Sequence, residues 1–207
     1  MICESKSAFG LKWCDMKHRS VPIVMLVLSV AINVVLAHRV RQFDRLFGTK
    51  AESQLKSGAS VESFEAIDLI GRMQAITYTQ VSTPTVLYVF TPPCTWCARN
   101  MDNLKALVDN ASGQYRFIGL SLSKEGLAAY IEKNELKLPV YSGLSAETLK
   151  AYRLGSTPQT IVVSPEGRVL QDWVGAYVGE QKSQVEAFFH VRLPGLRELP
   201  KAEAARN

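Results

Sequence analysis

The chain has 207 residues, a formal net charge of +5 at pH 7 and a hydrophobic fraction of 47%. This length suggests one domain with accessory segments, and four cysteines are too few for a small scaffold stapled by disulfides. No basic block and no basic patch interleaved with aromatic residues stands out, so we expect no nucleic-acid partner.

The N-terminal part of the chain carries an apolar segment between two charged ones. Residues 1–20 are polar and contain Cys3 and Cys14, which we interpret as incidental thiols, with lipid attachment or pairing as alternatives. Residues 21–37 have no charged side chain, and as a helix they would span about 25 Å, the short end for a membrane helix. We interpret them as an uncleaved transmembrane signal-anchor; a signal peptide cut after Ala37 is the alternative.

Changes in composition set the remaining boundaries. We expect a stalk and linker at residues 38–60, a globular domain at residues 61–193 and a flexible tail at residues 194–207. The positive charges on the two sides of the apolar segment balance, so charge alone does not fix the orientation of the anchor.

Hydrophobic periodicity in the domain predicts strands that alternate with helices. Strands are expected at residues 64–69, 73–79, 85–90, 115–122, 138–141, 158–163 and 169–174. Helices are expected after residue 94 up to about 111, from 123, from 145 and at 179–193. The first two strands can form a hairpin across Gly71, and Ser123 and Ser145 are expected helix caps. This order predicts an α/β sheet with helices on its faces.

Two cysteines lie where the strand at 85–90 turns into a helix. Pro93 helps to stop the strand, and an apolar stripe on the helix begins at Cys97. A helix N-terminus presents free N–H groups and partial positive charge, which favour a thiolate. We therefore expect Cys94, at the mouth of the turn, to be the nucleophile. Cys97, one turn deeper, can resolve the mixed disulfide that Cys94 forms.

A lone Cys-x-x-Cys also fits half of a zinc site or two packed cysteines. A zinc site usually needs four ligands, and the sequence has no second Cys-x-x-Cys and no histidine pair. We therefore expect neither a metal nor another cofactor.

A proline opens the strand near residue 158, in the sequence Gly-Ser-Thr-Pro. A proline at this position ordinarily only marks the start of a strand. Beside a dithiol, a cis Pro158 would keep a side chain and an N–H group away from the sulfurs. It would also leave the backbone groups of Thr157 free to pair with an extended substrate.

The chain from about residue 61 to 193 resembles the thioredoxin superfamily, and within it the membrane-anchored TlpA/ResA-like thiol-disulfide oxidoreductases. Four motifs carry this resemblance: residues 64–71, 94–97, 155–158 and 165–168 leading to Gly175. The resemblance implies a thioredoxin-like mixed sheet flanked by helices, with an N-terminal β-hairpin and an inserted helix-strand unit. It makes Cys94 the attacking thiol, Cys97 the resolving thiol and Pro158 the cis proline facing them.

The same resemblance implies roles for neighbouring residues and shows two departures. Trp96 is expected to bind substrate together with Thr157 and Pro158, while Thr95 and Pro93 are expected to tune the reduction potential. Thioredoxins carry a buried acid where this chain has Tyr88, and ResA-like proteins carry a glutamate where it has Asn100. The group that takes the proton from Cys97 is therefore not identified.

The expected function is a membrane-tethered, extracytoplasmic thiol-disulfide oxidoreductase that reduces protein disulfides. Its partners would be protein disulfide or dithiol substrates and an upstream electron donor. Because such a site works on the oxidising side of a membrane, we expect a single-pass protein of the bacterial inner membrane with its domain in the periplasm.

Two other functions compete with this one. A peroxiredoxin-like thiol peroxidase is suggested by Thr91, three residues before Cys94, although Leu87 stands where those enzymes have a proline. A non-catalytic copper-binding or partner-binding module would need a histidine near the cysteines, and His190 lies in the final predicted helix.

Overall fold

The computed structural model describes residues 25, 26, 28–35 and 53–198. The chain divides into two units, Met1–Thr49 and Lys50–Asn207. In the first unit, the described residues are helical and their large apolar side chains are exposed. The predicted polar segment at 1–20 lies outside the described residues, as do most of the predicted stalk and the end of the predicted tail.

Within the described residues, no helix combines the length and the apolar character that a membrane crossing requires. The predicted signal-anchor at residues 21–37 is described only at residues 25, 26 and 28–35.

The second unit contains a mixed sheet, as predicted. Its strands are β1 (Phe64–Ile67), β2 (Met73–Ile76), β3 (Thr85–Phe90), β4 (Arg116–Ser121), β5 (Val140–Tyr141), β6 (Gln159–Val163) and β7 (Val169–Val174). The five-stranded sheet has the order β5-β4-β3-β6-β7. In it, β3 and β5 run parallel to β4, whereas β6 is antiparallel to both β3 and β7. The β1–β2 hairpin forms a separate antiparallel pair.

Five helices accompany these strands in the described part of the second unit. They are α1 (Thr95–Arg99), α2 (Met101–Ala111), α3 (Leu127–Asn134), α4 (Ala146–Ala151) and α5 (Gly179–Phe189). The single helix expected after Cys94 is thus two helices that meet at Asn100. Their backbone hydrogen bonds continue across the junction, because Asn100 N–H donates to Trp96 O and Leu104 N–H donates to Asn100 O.

The central strand β3 is buried along its whole length because both of its faces are covered. Leu87 and Val89 belong to a core cluster that includes residues of the hairpin. Tyr88 and Phe90 point to the opposite face, where they pack in a cluster with Cys97. The alternation of β3 therefore separates a hairpin side of the sheet from a cysteine side.

The first residues of the predicted tail are held against α1 and α2. Gly195 N–H donates to the Asn103 side chain over 2.8 Å, and Arg197 N–H donates to the Arg99 carbonyl over 2.7 Å. The Arg197 guanidinium pairs with Asp102 and lowers the pKa of that carboxyl. These contacts hold Gly195 and Arg197 against the two helices.

A buried carboxyl fastens the start of the domain to the sheet. Asp172 on β7 accepts hydrogen bonds from Leu55 N–H over 2.7 Å and from the Gln159 side chain over 3.0 Å. Burial raises the pKa of Asp172 to about 6, although these hydrogen bonds and the charge of Arg153 act in the opposite direction. The ionised carboxylate therefore joins three segments while lying in a poorly solvated place.

This raised pKa gives a pH dependence of stability with a defined sign. The folded protein keeps a proton that the unfolded chain releases between 3.8 and about 6. The stabilisation is complete below the lower value and is lost as the pH rises through the upper one. We expect wild type to lose about 2 kcal/mol relative to Asp172→Asn from pH 4 to pH 7.5, because part of the total is already lost at pH 4. Urea unfolding of both proteins at the two pH values measures this difference. An equal difference in the free energy of unfolding at both pH values would contradict the assignment.

Candidate redox site

The strand–helix junction places the two predicted cysteines at one end of the sheet. After β3 the chain turns, with Cys94 N–H donating to the Thr91 carbonyl over 3.1 Å. Cys94 has extended backbone angles and is the N-cap of α1. Cys94 and Cys97 form a disulfide, with their Cα atoms 5.2 Å apart. The cysteines therefore lie where the sequence predicts them and can exchange two electrons.

The two sulfurs differ in access and in polar contacts. Cys97 is completely buried, packed in a cluster with Tyr88, Phe90 and Met101, whereas Cys94 is half-buried. The backbone N–H of Cys97 points to the Cys94 sulfur over 3.0 Å. In the reduced state this N–H can stabilise negative charge on Cys94. Access and charge stabilisation thus favour the same sulfur as nucleophile.

The predicted proline loop faces this disulfide. The Thr157–Pro158 bond is cis, and the Thr157 carbonyl oxygen lies 3.5 Å from the Cys94 sulfur. The Thr157 hydroxyl is also 3.5 Å from that of Thr91, the residue that follows β3. The structure therefore brings Cys94, Thr157 and Pro158 together from segments more than 60 residues apart, since 63 positions separate Cys94 from Thr157.

The other predicted site residues form the rim. Trp96 exposes 51% of its surface, and the Arg99 guanidinium lies 4.8 Å from the centre of its ring. Pro93 is exposed and Thr95 is half-buried, so both lie beside the sulfurs rather than beneath them. An exposed aromatic ring next to a reactive sulfur offers apolar contact area to a substrate.

A buried polar network lies on the cysteine side of the sheet. Asn100 is fully buried and its side chain contacts Tyr88, Asn103 and the backbone of Tyr177. Burial raises the pKa of Tyr88, so its hydroxyl stays neutral. Sequence analysis singled out Tyr88 and Asn100 as departures from related proteins, but it did not identify Tyr177. No local pattern in the sequence marks that residue.

A zinc site and a copper site were the metal-binding alternatives for the two cysteines. Among the described residues, no group of three or more His, Cys, Asp or Glu side chains is placed to hold a metal ion. His190, which a copper module would require near the cysteines, is the exposed residue that ends α5.

Comparison with known proteins agrees with this geometry. The AhpC/TSA family matches residues 58–171, whereas no curated protein matches the chain. Among solved structures, the thioredoxin domain of a thiol-disulfide oxidoreductase from Bacteroides vulgatus is 19% identical, with a TM-score of 0.53. The match covers 66% of this chain and 99% of that one.

Two further structures are similar. A thiol-disulfide oxidoreductase from Bacteroides fragilis is 21% identical over 63% of this chain and 99% of its own, with a TM-score of 0.52. StoA from Bacillus subtilis is 18% identical over 61% of this chain and 98% of its own, with a TM-score of 0.50. The fold and the bonded cysteines confirm the prediction of a thioredoxin-like oxidoreductase.

The difference in burial predicts selective labelling of the reduced protein. We expect iodoacetamide to modify Cys94 at least about ten times faster than Cys97. Only the Cys94 sulfur is accessible, and the Cys97 N–H can stabilise its thiolate. Peptide mapping by mass spectrometry separates these cysteines from Cys3 and Cys14. Equal rates at Cys94 and Cys97 would contradict the proposed order of attack.

Proposed function

This chain belongs to the AhpC/TSA family, and from that membership and its paired cysteines we propose a membrane-tethered, extracytoplasmic reductase of protein disulfides. The observation that carries the proposal is the position of the half-buried Cys94 sulfur between the Cys97 N–H and the Thr157 carbonyl. Such a position lets one sulfur meet a substrate while the other stays protected.

The proposed reaction starts from the dithiol. The Cys94 thiolate attacks one sulfur of a substrate disulfide, so that a mixed disulfide forms and the second substrate sulfur leaves as a thiolate. Cys97 then loses its proton and attacks the Cys94 sulfur. This step closes the Cys94–Cys97 disulfide and releases the substrate as a dithiol. Two electrons pass to the substrate, and an upstream dithiol donor restores them.

Substrate recognition is proposed for the groups around the accessible sulfur. The backbone of Thr157, next to Pro158, can pair with an extended segment of the substrate, as a strand edge does. Trp96 can cover apolar side chains that flank the substrate cysteine. Pro93 and Thr95 adjoin the sulfurs, so they are the residues through which the loop can tune the reduction potential.

The proposed membrane anchor is supported by the N-terminal helix. Its described residues include seven exposed large apolar side chains: Met25, Leu26, Leu28, Val30, Ile32, Val34 and Val35. Asn33, the polar residue in this segment, donates to the Ser29 carbonyl over 2.7 Å. This bond within the helix lowers the cost of placing the amide in hydrocarbon. A single-pass anchor would hold the redox domain in the periplasm, at the bacterial inner membrane.

Insulin reduction tests the proposed chemistry. With dithiothreitol as donor, the purified chain should accelerate the precipitation of reduced insulin. Cys94→Ser should abolish this activity because the remaining thiol of the site, Cys97, is buried, and Cys97→Ser should accumulate a mixed disulfide with the substrate.

A matched control replaces both Cys3 and Cys14 by serine, and this variant should keep full activity. Undiminished activity of Cys94→Ser would contradict the proposal. Rapid consumption of hydrogen peroxide by the reduced chain, without insulin reduction, would assign the peroxidase function instead.

Membrane extraction tests the anchor separately. In alkaline carbonate, the full chain should stay in the membrane pellet, whereas a variant lacking residues 21–37 should move to the supernatant. Protease added outside spheroplasts should digest the domain from residue 53 onward. Release of the full chain by carbonate, or an N-terminus beginning at His38, would contradict an uncleaved anchor.

A further inference from the structure

The junction between α1 and α2 contains a buried amide in an uncommon place. Asn100 has no exposed surface, although asparagine is mostly a surface residue. It ends α1, the helix that carries Cys97, and lies three positions beyond that cysteine. A buried amide requires hydrogen-bond partners, and those partners identify what Asn100 holds together.

The Asn100 side chain contacts three separate elements. Its oxygen accepts from Tyr177 N–H over 3.0 Å and from the Asn103 side chain over 2.9 Å. Its nitrogen lies 3.5 Å from the Tyr88 hydroxyl on β3. One amide thus connects the end of α1 with the central strand, with α2 and with the segment that follows β7.

The segment after β7 also supports the proline loop. Gly175 N–H donates to the Pro158 carbonyl over 2.7 Å. Two residues later, the Tyr177 hydroxyl is 2.6 Å from that of Thr160 on β6. Residues 175–177 therefore contact both Asn100, behind the cysteines, and the strand that begins at the proline loop.

We propose that Asn100 is a positioning residue, which fixes the cysteine helix relative to the Pro158 loop through Tyr177. This inference rests on the proposed redox function of Cys94 and Cys97. By restricting α1, the amide keeps the two thiols at bonding distance and so favours the disulfide. Its loss lowers the effective concentration of one thiol at the other and raises the reduction potential.

The test compares reduction potentials in glutathione buffers, with the Cys94–Cys97 peptide followed by mass spectrometry of the full chain. We expect Asn100→Ala to lower the equilibrium constant for disulfide formation about tenfold, which corresponds to about 30 mV. Thr160→Val should change it in the same direction by about threefold, because it removes the hydroxyl that holds Tyr177.

Tyr152→Phe is the matched control. Tyr152 is also buried and makes hydrogen bonds, to Tyr78 and to the Glu62 carbonyl, but on the hairpin side of the sheet. Its variant should lose thermal stability and keep the wild-type potential. Asn100→Ala with a lowered Tm and an unchanged potential would make Asn100 merely structural and overturn the proposal. If Asn100→Ala does not fold, an unchanged potential in Thr160→Val overturns it.

Insulin reduction by the same samples separates this inference from the proposed function. A shifted potential in Asn100→Ala, together with no insulin reduction by wild type, would support the positioning role and overturn the reductase assignment. Active wild type with equal potentials in every variant would support the reductase assignment and overturn the positioning role.

Discussion

The burial of β3 on both faces is the constraint on which the site depends. Because successive side chains of a strand point to opposite faces, Leu87 and Val89 fill the hairpin side while Tyr88 and Phe90 fill the cysteine side. This strand ends at Phe90. The chain turns within the next few residues, and Cys94 caps the helix that follows.

That geometry divides the work between the two sulfurs. The N-cap position of Cys94 leaves its sulfur open to solvent and aims the Cys97 N–H at it. One turn further, the helix has rotated its side chains toward β3, so Cys97 is buried among aromatic residues. The spacing of the two cysteines and the direction of the helix are therefore enough to make one thiol accessible and the other buried.

The sequence predicted the parts of this arrangement that depend on local periodicity. The buried strand, the stripe that starts at Cys97 and the Ser145 cap of α4 were all expected, and Ser145 does accept from Thr148 N–H. Ser123 was expected to cap α3, but its hydroxyl accepts from Glu125 N–H one turn earlier, and α3 begins after Gly126, whose φ is 67°. A glycine that can adopt this conformation delays the helix.

The network around Asn100 could not be predicted, because its partners are distant in sequence. Tyr88 lies 12 positions before it and Tyr177 lies 77 positions after it. A single sequence shows that an asparagine stands at the helix junction, but only the packed sheet shows which groups it meets. The same is true of Asp172, whose partner Leu55 is 117 positions away.

The chemistry of these buried groups bears on the proton that Cys97 must lose. An amide is not a base, so Asn100 cannot accept that proton. Burial raises the pKa of Tyr88, which keeps its own proton and also cannot accept one. Their contact links the end of α1 to β3, but neither side chain supplies the proton acceptor. In the proposed reaction, the first step releases a substrate thiolate, and a thiolate is a base that can take this proton.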